Sequence, residues 1–407
     1  EQKEKKILFL SNLFQHLDGI VLIPTIIELQ KQKILNYIQK QKKCSLLELS
    51  SKYTANNGYL NVSLRLLCSQ GILKQEIIDN EVFFSDVQLE EWMSMNILEK
   101  YKIVQELYNN DIQYESILTI NKTKLIENSI LFNTIKQYNS WKAQDYQTEL
   151  NTTIKSHHWS KWQTHIEGAM LGPIIVLLSR NRYFDDIKLD KVLLIDIHHL
   201  WENAIMNLFH HAQIVNDQHK LTEYGYFLLK RATSYGVTVS YLPTFRNINN
   251  LIYGDHAILT TQSIEDEEIH VDRSMNVWGS GGAHNTYFKK VDQIILDLFN
   301  LPIEQQPKGF IDIGCGNGKL IEHVFDLIYY KTKRGKYLKE HPLFIVGSDF
   351  NYKALEATQE TIHQADIWAK TAFGDISDPD GLAHRLRKEH NIDLVDLLNV
   401  RSFLDHN

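Results

Sequence analysis

The segment Gly309–Leu320, GFIDIGCGNGKL, constrains the fold of this chain more than any other. An apolar run leads directly into Gly314, Gly316 and Gly318, and an amphipathic stretch begins at Lys319. A strand that turns into a helix through glycines brings backbone amides close to a ligand. Such a unit is typical of a parallel α/β sheet, whose ligands lie beyond the carboxyl ends of the strands.

The sequence that follows alternates between strand patterns and helix patterns. Helices are predicted to begin near residues 319, 353 and 380. The predicted strands are 309–313, 343–349, 369–375 and 392–400. Because this alternation is typical of parallel strands joined by right-handed crossovers, we predict a Rossmann-like α/β core over residues 271–407.

Acidic residues stand at the carboxyl ends of three successive predicted strands: Asp312, Asp349 and Asp375. A carboxylate in the position of Asp349, about thirty residues after the glycines, can bind both hydroxyls of a ribose. Asp375, or a backbone amide beside it, can meet the amino group of an adenine. These strand ends therefore predict a site for an adenosine-containing ligand.

Composition limits the class of protein. At about 150 residues per domain, 407 residues allow two or three domains. We see no run of about 18 apolar residues and no signal peptide, so we expect a cytoplasmic protein without a membrane partner. Cys44, Cys68 and Cys315 are too scattered for a disulfide framework or a cysteine-rich metal site and are predicted to be free thiols.

Residues 1–84 have the pattern of a winged helix, in which three helices precede a β-hairpin. DNA binding is the main alternative role for such a unit. Its would-be recognition helix, GYLNVSLRLLCSQ, offers only Arg65, and the chain has a net charge of −7. We therefore predict a role in core packing or dimerisation and no nucleic-acid partner.

Residues 85–270 are predicted to form a helical insertion or lid followed by a second winged-helix-like unit. In the second unit, a turn at Asn216-Asp217 follows Ile214-Val215, and a helix starts at Thr222. Because the first and second units share this order of elements, an internal duplication remains an open interpretation.

The motif DIGCGNG resembles the signature of class I S-adenosylmethionine-dependent methyltransferases. It lacks the spacing of dinucleotide-binding enzymes and of phosphate-binding loops. The resemblance implies S-adenosylmethionine as methyl donor and places Asp312 near the ammonium group of the donor. It also gives the fold class, a Rossmann-like methyltransferase core after a mainly helical, winged-helix-like amino-terminal region.

Two further stretches, VWGSGGAHNTYFKK and NVRSFLDHN, resemble the C-methyltransferase domains of polyketide synthase loading modules of the apratoxin type. This resemblance implies C-methylation of a malonyl-type acyl group in polyketide biosynthesis. The implied partners are an acyl carrier protein and neighbouring polyketide synthase domains. Gly281 and His284, in the first stretch, are predicted to contact donor or substrate, with an ordinary loop as the alternative for His284.

His406 and Asn407, after the fourth predicted strand, are candidate catalytic residues. One member type of the resembled family has a mononuclear iron site, and imidazole with oxygen ligands suits iron or manganese. His406 is therefore a candidate metal ligand. A general base or substrate contact without metal is an equally weighted alternative.

The chain departs from the family pattern, since a complete methyltransferase sheet has about seven strands and only four are predicted here. We expect from this that the sequence is a fragment. Two other functions stay open: a small-molecule O-methyltransferase, and a non-catalytic methyltransferase-like scaffold. The intact glycines and Asp349 favour an enzyme over a scaffold.

Overall fold

A computed structural model describes residues 2–89, 92, 97–109, 114–151, 161–261, 268–288 and 291–401. The chain divides into two compact units, residues 1–272 and residues 273–407. The first unit is mainly helical and the second contains a parallel sheet, which confirms the predicted fold class. The predicted division into three domains, with boundaries after residues 84 and 270, stays a prediction.

The first unit is built from helices of very different lengths and one small sheet. Its strands are β1 Lys43–Ser45, β2 Leu73–Ile78 and β3 Glu81–Asp86. Its helices are α1 Gln2–Lys31, α2 Ile34–Gln41, α3 Leu46–Tyr53, α4 Asn57–Ser69, α5 Ile97–Gln105, α6 Ser116–Thr119, α7 Thr123–Glu127, α8 Ile130–Asn151, α9 Lys161–Arg180, α10 His199–His211, α11 Glu223–Leu229, α12 Thr233–Ser240, α13 Leu242–Arg246 and α14 Ile248–Tyr253.

The order of elements predicted for residues 1–84 is confirmed. Helices α2, α3 and α4 precede the hairpin β2–β3, and the antiparallel sheet has the order β1-β3-β2. Ser45 caps α3 and Asn56 caps α4 through side-chain oxygens that accept backbone N–H bonds. The hairpin turns at Asp79 and Asn80, which both have positive φ, as a tight two-residue turn requires.

The second predicted winged-helix-like unit also has the expected local order. A single antiparallel bridge joins Val215 to Leu221 around the predicted turn. The predicted helix start is confirmed, because Thr222 caps α11 by accepting a hydrogen bond from the Gly225 amide at 2.9 Å.

Helices α1 and α9 cross at the centre of the first unit with their backbones in close approach. A Cβ atom on Gly19 would overlap the backbone of His165, and one on Gly168 would overlap the backbone of His16. The helices can therefore touch only because both crossing positions are glycines. Around the crossing, side chains such as Ile20 are fully buried.

Each of the two histidines buried near this crossing makes a hydrogen bond through Nδ1, whereas His16 Nε2 has no hydrogen-bond partner among the described residues. His16 Nδ1 lies 2.7 Å from the Tyr235 hydroxyl. His165 Nδ1 lies 2.8 Å from the Tyr101 hydroxyl, and its Nε2 lies 3.2 Å from Gln70 Oε1. Burial, followed by the charges of Lys161 and His16, lowers the pKa of His165 to about 3, so its imidazole is neutral and serves packing.

Among the described helices, the stretch Lys3–Lys31 of α1 is long and apolar enough to cross a membrane by length and composition alone. It is not a run of apolar residues only, because it includes Gln15, His16 and Asp18, and the expected absence of a membrane partner stays a prediction. The core helix of a soluble protein passes the same test, and α1 packs its central side chains into the helical unit, where Ile20, Ile23 and Ile27 are fully buried.

The second unit contains four parallel strands in the order β6-β5-β4-β7. The strands are β4 Gly309–Ile313, β5 Phe344–Asp349, β6 Lys370–Phe373 and β7 Leu397–Val400. The helices are α15 Arg273–Phe288, α16 Asp292–Phe299, α17 Lys319–Lys331, α18 Lys333–Lys336, α19 Tyr352–Gln364 and α20 Pro379–His390.

Both faces of this sheet are buried, as parallel sheets require. Phe310 and Ile345 point to one face, where they pack with side chains of α16, α17 and α19. The adjacent residues Ile311 and Val346 point to the other face, against Leu382 and its neighbours on α20. The near-continuous apolar run in each central strand follows from this double burial.

Two predicted strands are shorter than expected. The predicted strand 369–375 is reduced to Lys370–Phe373. Of the predicted strand 392–400, only Leu397–Val400 is extended, because Leu394–Asp396 forms a 3₁₀ turn in which the Asp396 amide bonds the Asp393 carbonyl at 3.1 Å. These local turns replace pairing with a neighbouring strand at the sheet edges.

We expect Gly168→Ala to lower the free energy of unfolding by about 1–3 kcal/mol, because the added methyl group overpacks the α1–α9 crossing. Urea denaturation followed by circular dichroism measures the effect. Gly58→Ala is the matched control, since Gly58 is exposed and its Cβ position is 3.4 Å from the nearest atom, Asn56 Oδ1. Equal unfolding midpoints for the two variants would contradict a tight crossing.

Candidate functional site

The glycine segment leaves β4 at the carboxyl edge of the sheet and is attached to the neighbouring strand β5. The amides of Gly314 and Cys315 both donate to the Ser348 carbonyl, at 2.7 and 3.0 Å. The loop therefore turns over the end of β5. The sequence motif predicted the loop but gave no sign of Ser348, whose contribution is a backbone carbonyl that any residue has.

Two glycines in the loop have a clear conformational role. Gly316 has φ of 57° and no atom within 4 Å of a Cβ position, so space lies open beside it. Gly318 has φ of 74° and is the N-cap of α17, where a Cβ would lie 3.2 Å from Thr358. Both conformations favour glycine. The open space at Gly316 is what a ligand against the backbone needs.

Asp349, at the end of β5, holds the loop in place. Its Oδ2 accepts a hydrogen bond from the Gly316 amide at 3.1 Å, and its Oδ1 accepts one from the Asn351 amide at 3.0 Å. Burial raises the pKa of this carboxyl group, while these bonds and the charge of Arg273 lower it in part. The Phe350 amide also bonds this carboxylate, so about one of its roughly four acceptor positions remains for a ligand.

Asp312 is a buried carboxyl group on β4 with an unused acceptor. Its side chain is 2% exposed, and Oδ1 has no hydrogen-bond partner among the described residues. Burial, and then the nearby charge of Asp349, raise the pKa of Asp312 to about 7. A cation at this place would lower that pKa and relieve the cost of burying the charge.

Cys315 is a packing residue of the loop. Its sulfur accepts a hydrogen bond from the Thr358 hydroxyl at 3.2 Å, and the same hydroxyl lies 3.1 Å from the Gly316 carbonyl. Burial raises the pKa of the thiol well above its usual value, which keeps it protonated and unreactive. Thr358, on α19, thus stabilises the loop through its hydroxyl group. Its role was not predicted from the sequence.

Asp375 follows the third strand but is exposed. Its Oδ1 accepts hydrogen bonds from the Ser377 amide at 2.8 Å and hydroxyl at 2.7 Å, which lower its pKa. The Gly374 amide bonds the Asp349 carbonyl at 3.1 Å, so the chain after β6 stays at the same sheet edge. An adenine contact by Asp375 remains a prediction.

Aromatic side chains that the sequence reading missed also lie at this edge. Phe350 follows Asp349 directly and is 52% exposed. The ring of Tyr352 stacks on that of Phe373 with centroids 5.2 Å apart. The run DFNYK after an apolar strand was the available signal, since exposed aromatic rings beside the carboxylate of Asp349 are suited to pack against an adenine.

The segment that contains Gly281 and His284 is helical. Both residues lie within α15, which runs without a break from Arg273 to Phe288, so the loop interpretation of His284 is wrong. Burial of Val277 and Phe288 supports this helix despite the helix cost of its glycines. The side chain of His284 is outside what the structure describes, and donor or substrate contact by either residue stays a prediction.

The strand order reverses between β4 and β7, which are the first and fourth strands of the sheet in the chain. Ligands gather at such a switch point in open parallel sheets. Val400, the last residue of β7, pairs with Asp312. His406 and Asn407 lie outside the described residues, so their predicted catalytic roles stay predictions.

No group of three or more histidine, cysteine, aspartate or glutamate side chains that could hold a metal is present within the described residues. The described part of the site therefore offers no fit for iron or manganese. It does fit an adenosine-containing cation, with an open glycine backbone, an unused acceptor on Asp312 and remaining acceptor capacity on Asp349.

Comparison with known families divides the chain into three matched segments. Residues 268–407 match a methyltransferase family described as the AprA MT2-like domain. Residues 9–75 match the AprA N-terminal domain, and residues 167–255 match the AprA winged helix domain. No curated protein matches the chain.

The winged helix match covers the second of the two predicted winged-helix-like units, and the first unit matches the AprA N-terminal domain. The methyltransferase match implies S-adenosylmethionine as the methyl donor, and AprA-type domains indicate a polyketide synthase context. The chain therefore carries, in order, segments that match the AprA N-terminal domain, the AprA winged helix domain and the AprA MT2-like methyltransferase domain.

Proposed function

We propose that this chain is a C-methyltransferase that uses S-adenosylmethionine to methylate a malonyl-type acyl group on an acyl carrier protein. The observation that carries the donor assignment is the open glycine backbone at Gly316, fastened to Asp349 and adjacent to the buried Asp312. When bound, the donor supplies a methyl group on a positively charged sulfur. The residues of this chain bind and orient it.

Each strand end has a proposed part in donor binding. The remaining acceptor capacity of Asp349 receives the ribose hydroxyls. The unused Oδ1 of Asp312 receives the ammonium group, which compensates a charge that burial disfavours. Phe350 lies against the adenine ring, and Asp375 or an amide beside it contacts the adenine amino group.

The acyl substrate and the carrier protein are proposed from the AprA-type domain set, which indicates a polyketide synthase context with neighbouring domains. Carbon rather than oxygen as the methylated atom rests on the resemblance of VWGSGGAHNTYFKK and NVRSFLDHN to polyketide synthase C-methyltransferases. The packing of α1 into the helical unit supports the proposed cytoplasmic location.

Methyl transfer to a malonyl-loaded carrier protein tests the proposal. We expect the mass of the acyl group to rise by that of CH2, because a methyl group replaces a hydrogen. The added methyl group should survive mild ester hydrolysis, because it is attached through a new carbon–carbon bond. Methylation of oxygen on the same substrate would favour an O-methyltransferase. Donor binding without any transfer would favour a scaffold.

We expect Asp349→Asn to weaken donor binding by about 1–3 kcal/mol, or about fivefold to 150-fold, because the amide cannot accept all the bonds that the carboxylate accepts. Titration calorimetry measures the effect. Asp326→Asn is the control, since Asp326 is exposed on α17 and carries the same charge. Unchanged affinity in Asp349→Asn would refute the ribose assignment.

Donor affinity is expected to rise with pH through neutrality. Because the pKa of Asp312 is about 7 in the free chain, the carboxyl group is largely neutral at pH 6 and ionised at pH 8. A bound ammonium group favours the ionised form, so binding below the pKa releases a proton. Affinity then changes by up to about tenfold per pH unit below the pKa and levels off above it.

Calorimetry at pH 6 in two buffers of different ionisation enthalpy measures the released proton. Cys315 does not contribute, because its raised pKa keeps it neutral over this range. Asp312→Asn should bind the donor more weakly and with no proton release. Donor affinity that does not change with pH in the unsubstituted protein would rule out Asp312 as the ionisable partner of the ammonium group.

We expect His406→Ala to abolish methyl transfer and to leave donor binding nearly unchanged, because we propose that this imidazole acts on the acyl substrate. Activity assays and calorimetry on the full-length protein separate the two effects. Metal analysis of both forms tests the predicted iron or manganese. Activity equal to the unsubstituted protein would refute every proposed role of His406.

A further inference from the structure

A basic and aromatic surface lies at the amino-terminal edge of the parallel sheet, opposite the glycine loop. Helix α17 begins at the loop and ends at Lys331, and Trp368 precedes the first residue of β6. We call this surface the lower-edge patch. It consists of the side chains Tyr329, Tyr330, Trp368, Lys333, Lys336 and Lys339.

The aromatic part of the patch is unusually exposed for its size. Tyr330 is 74% exposed, Trp368 48% and Tyr329 42%. The rings contact one another, with centroids 4.8 Å apart for Tyr329–Tyr330 and 6.4 Å apart for Tyr329–Trp368. Contiguous exposed aromatic side chains of this kind mark interaction surfaces, where tyrosine and tryptophan contribute most of the binding energy.

The ring of Trp368 is held in position before any partner binds. Trp368 packs edge-on against the buried Phe325, with centroids 5.0 Å apart, and its Nε1 donates to the Leu343 carbonyl at 3.0 Å. Because little side-chain freedom remains to be lost on binding, the ordering cost of an encounter is low.

The lysine loop is fixed by a buried arginine. Arg334 is 4% exposed, and its guanidinium donates to the carbonyls of Lys308, His341 and Pro342 at 3.0 to 3.2 Å. It also donates to Gln306 Oε1 at 3.2 Å. This anchor directs the neighbouring Lys333 and Lys336 outward, where both are exposed.

The charge of the patch is opposite to that of the chain. Residues 329–341 contain four lysines and one arginine against one acidic residue, Glu340, while the chain has a net charge of −7. In the part of the chain that the structure describes, none of the recorded ion pairs involves Lys333, Lys336 or Lys339. These charges are therefore available to a partner.

We propose that the lower-edge patch binds an acidic helix of a partner protein. A row of carboxylates on such a helix would pair with the lysines, and an apolar side chain beside it would cover Tyr330 and Trp368. Nucleic acid fits less well, because the rings meet edge to face, at 71° and 88°, and leave no parallel platform for bases. Lysine also lacks the planar fork with which arginine binds phosphate.

The position of the patch separates this contact from donor binding. The six residues of β5 span about 20 Å between the two edges of the sheet. A partner on the patch thus leaves the glycine loop and Asp349 uncovered. The inference does not rest on the proposed methyl transfer, and each can fail without the other.

The experiment uses the full chain and a fluorescein-labelled helical peptide with a row of glutamates beside a leucine stripe. We expect saturable binding in fluorescence anisotropy, weakened about tenfold or more in the double variant Lys336→Glu with Lys339→Glu. Lys122→Glu with Lys124→Glu is the matched control, since these lysines are also exposed and the charge change is equal. The control should bind the peptide like the unsubstituted protein.

Tyr330→Ser tests the aromatic part of the patch. We expect it to lower the affinity for the peptide as well, while donor affinity stays unchanged in all variants. Three results would overturn the proposal: no peptide binding, equal loss in both double variants, or loss of donor affinity with loss of peptide binding. A single-stranded oligonucleotide or anionic phospholipid vesicles that displace the peptide from the unsubstituted protein would assign the patch to those ligands instead.

Discussion

The arrangement of the site depends on the hydrogen bonds that tie the glycine loop to the end of β5. Gly314 and Cys315 donate to the Ser348 carbonyl, and Gly316 donates to the Asp349 carboxylate. These bonds join two strands that are separated by a whole helix in the chain. They decide where the open backbone lies and how much of the Asp349 carboxylate stays available to a ligand.

The closeness of the two strand ends, β4 and β5, has an electrostatic cost. Two carboxyl groups, Asp312 and Asp349, are buried near each other, and burial raises the pKa of both. Backbone amides compensate Asp349 in part, whereas Asp312 has an acceptor without a partner among the described residues. A site in this state favours a cationic ligand, because the ligand supplies the charge that the protein lacks. Affinity for the donor is thus linked to the electrostatic cost that the two buried carboxyl groups have before binding.

The two edges of the sheet differ in chemistry because the carboxyl ends of all its parallel strands lie at one edge and the amino ends at the other. At the carboxyl edge, loops present amides and carboxylates to a small molecule. At the amino edge, Arg334 binds several carbonyls and orders a loop whose lysines face solvent. One domain can therefore hold a donor at one edge and a protein at the other without competition between them.

Local patterns of burial and turn formation encode the strand and helix order of the second unit, the glycine loop and the acidic strand ends, so these features were predictable from the sequence. The methyltransferase family followed from the same motif. The tertiary structure shows that GSGGAHN is helical, since burial of Phe288 outweighs the helix cost of its glycines. It also revealed Ser348, Thr358 and Arg273 beside the loop, because contacts between residues far apart in the chain leave no local pattern.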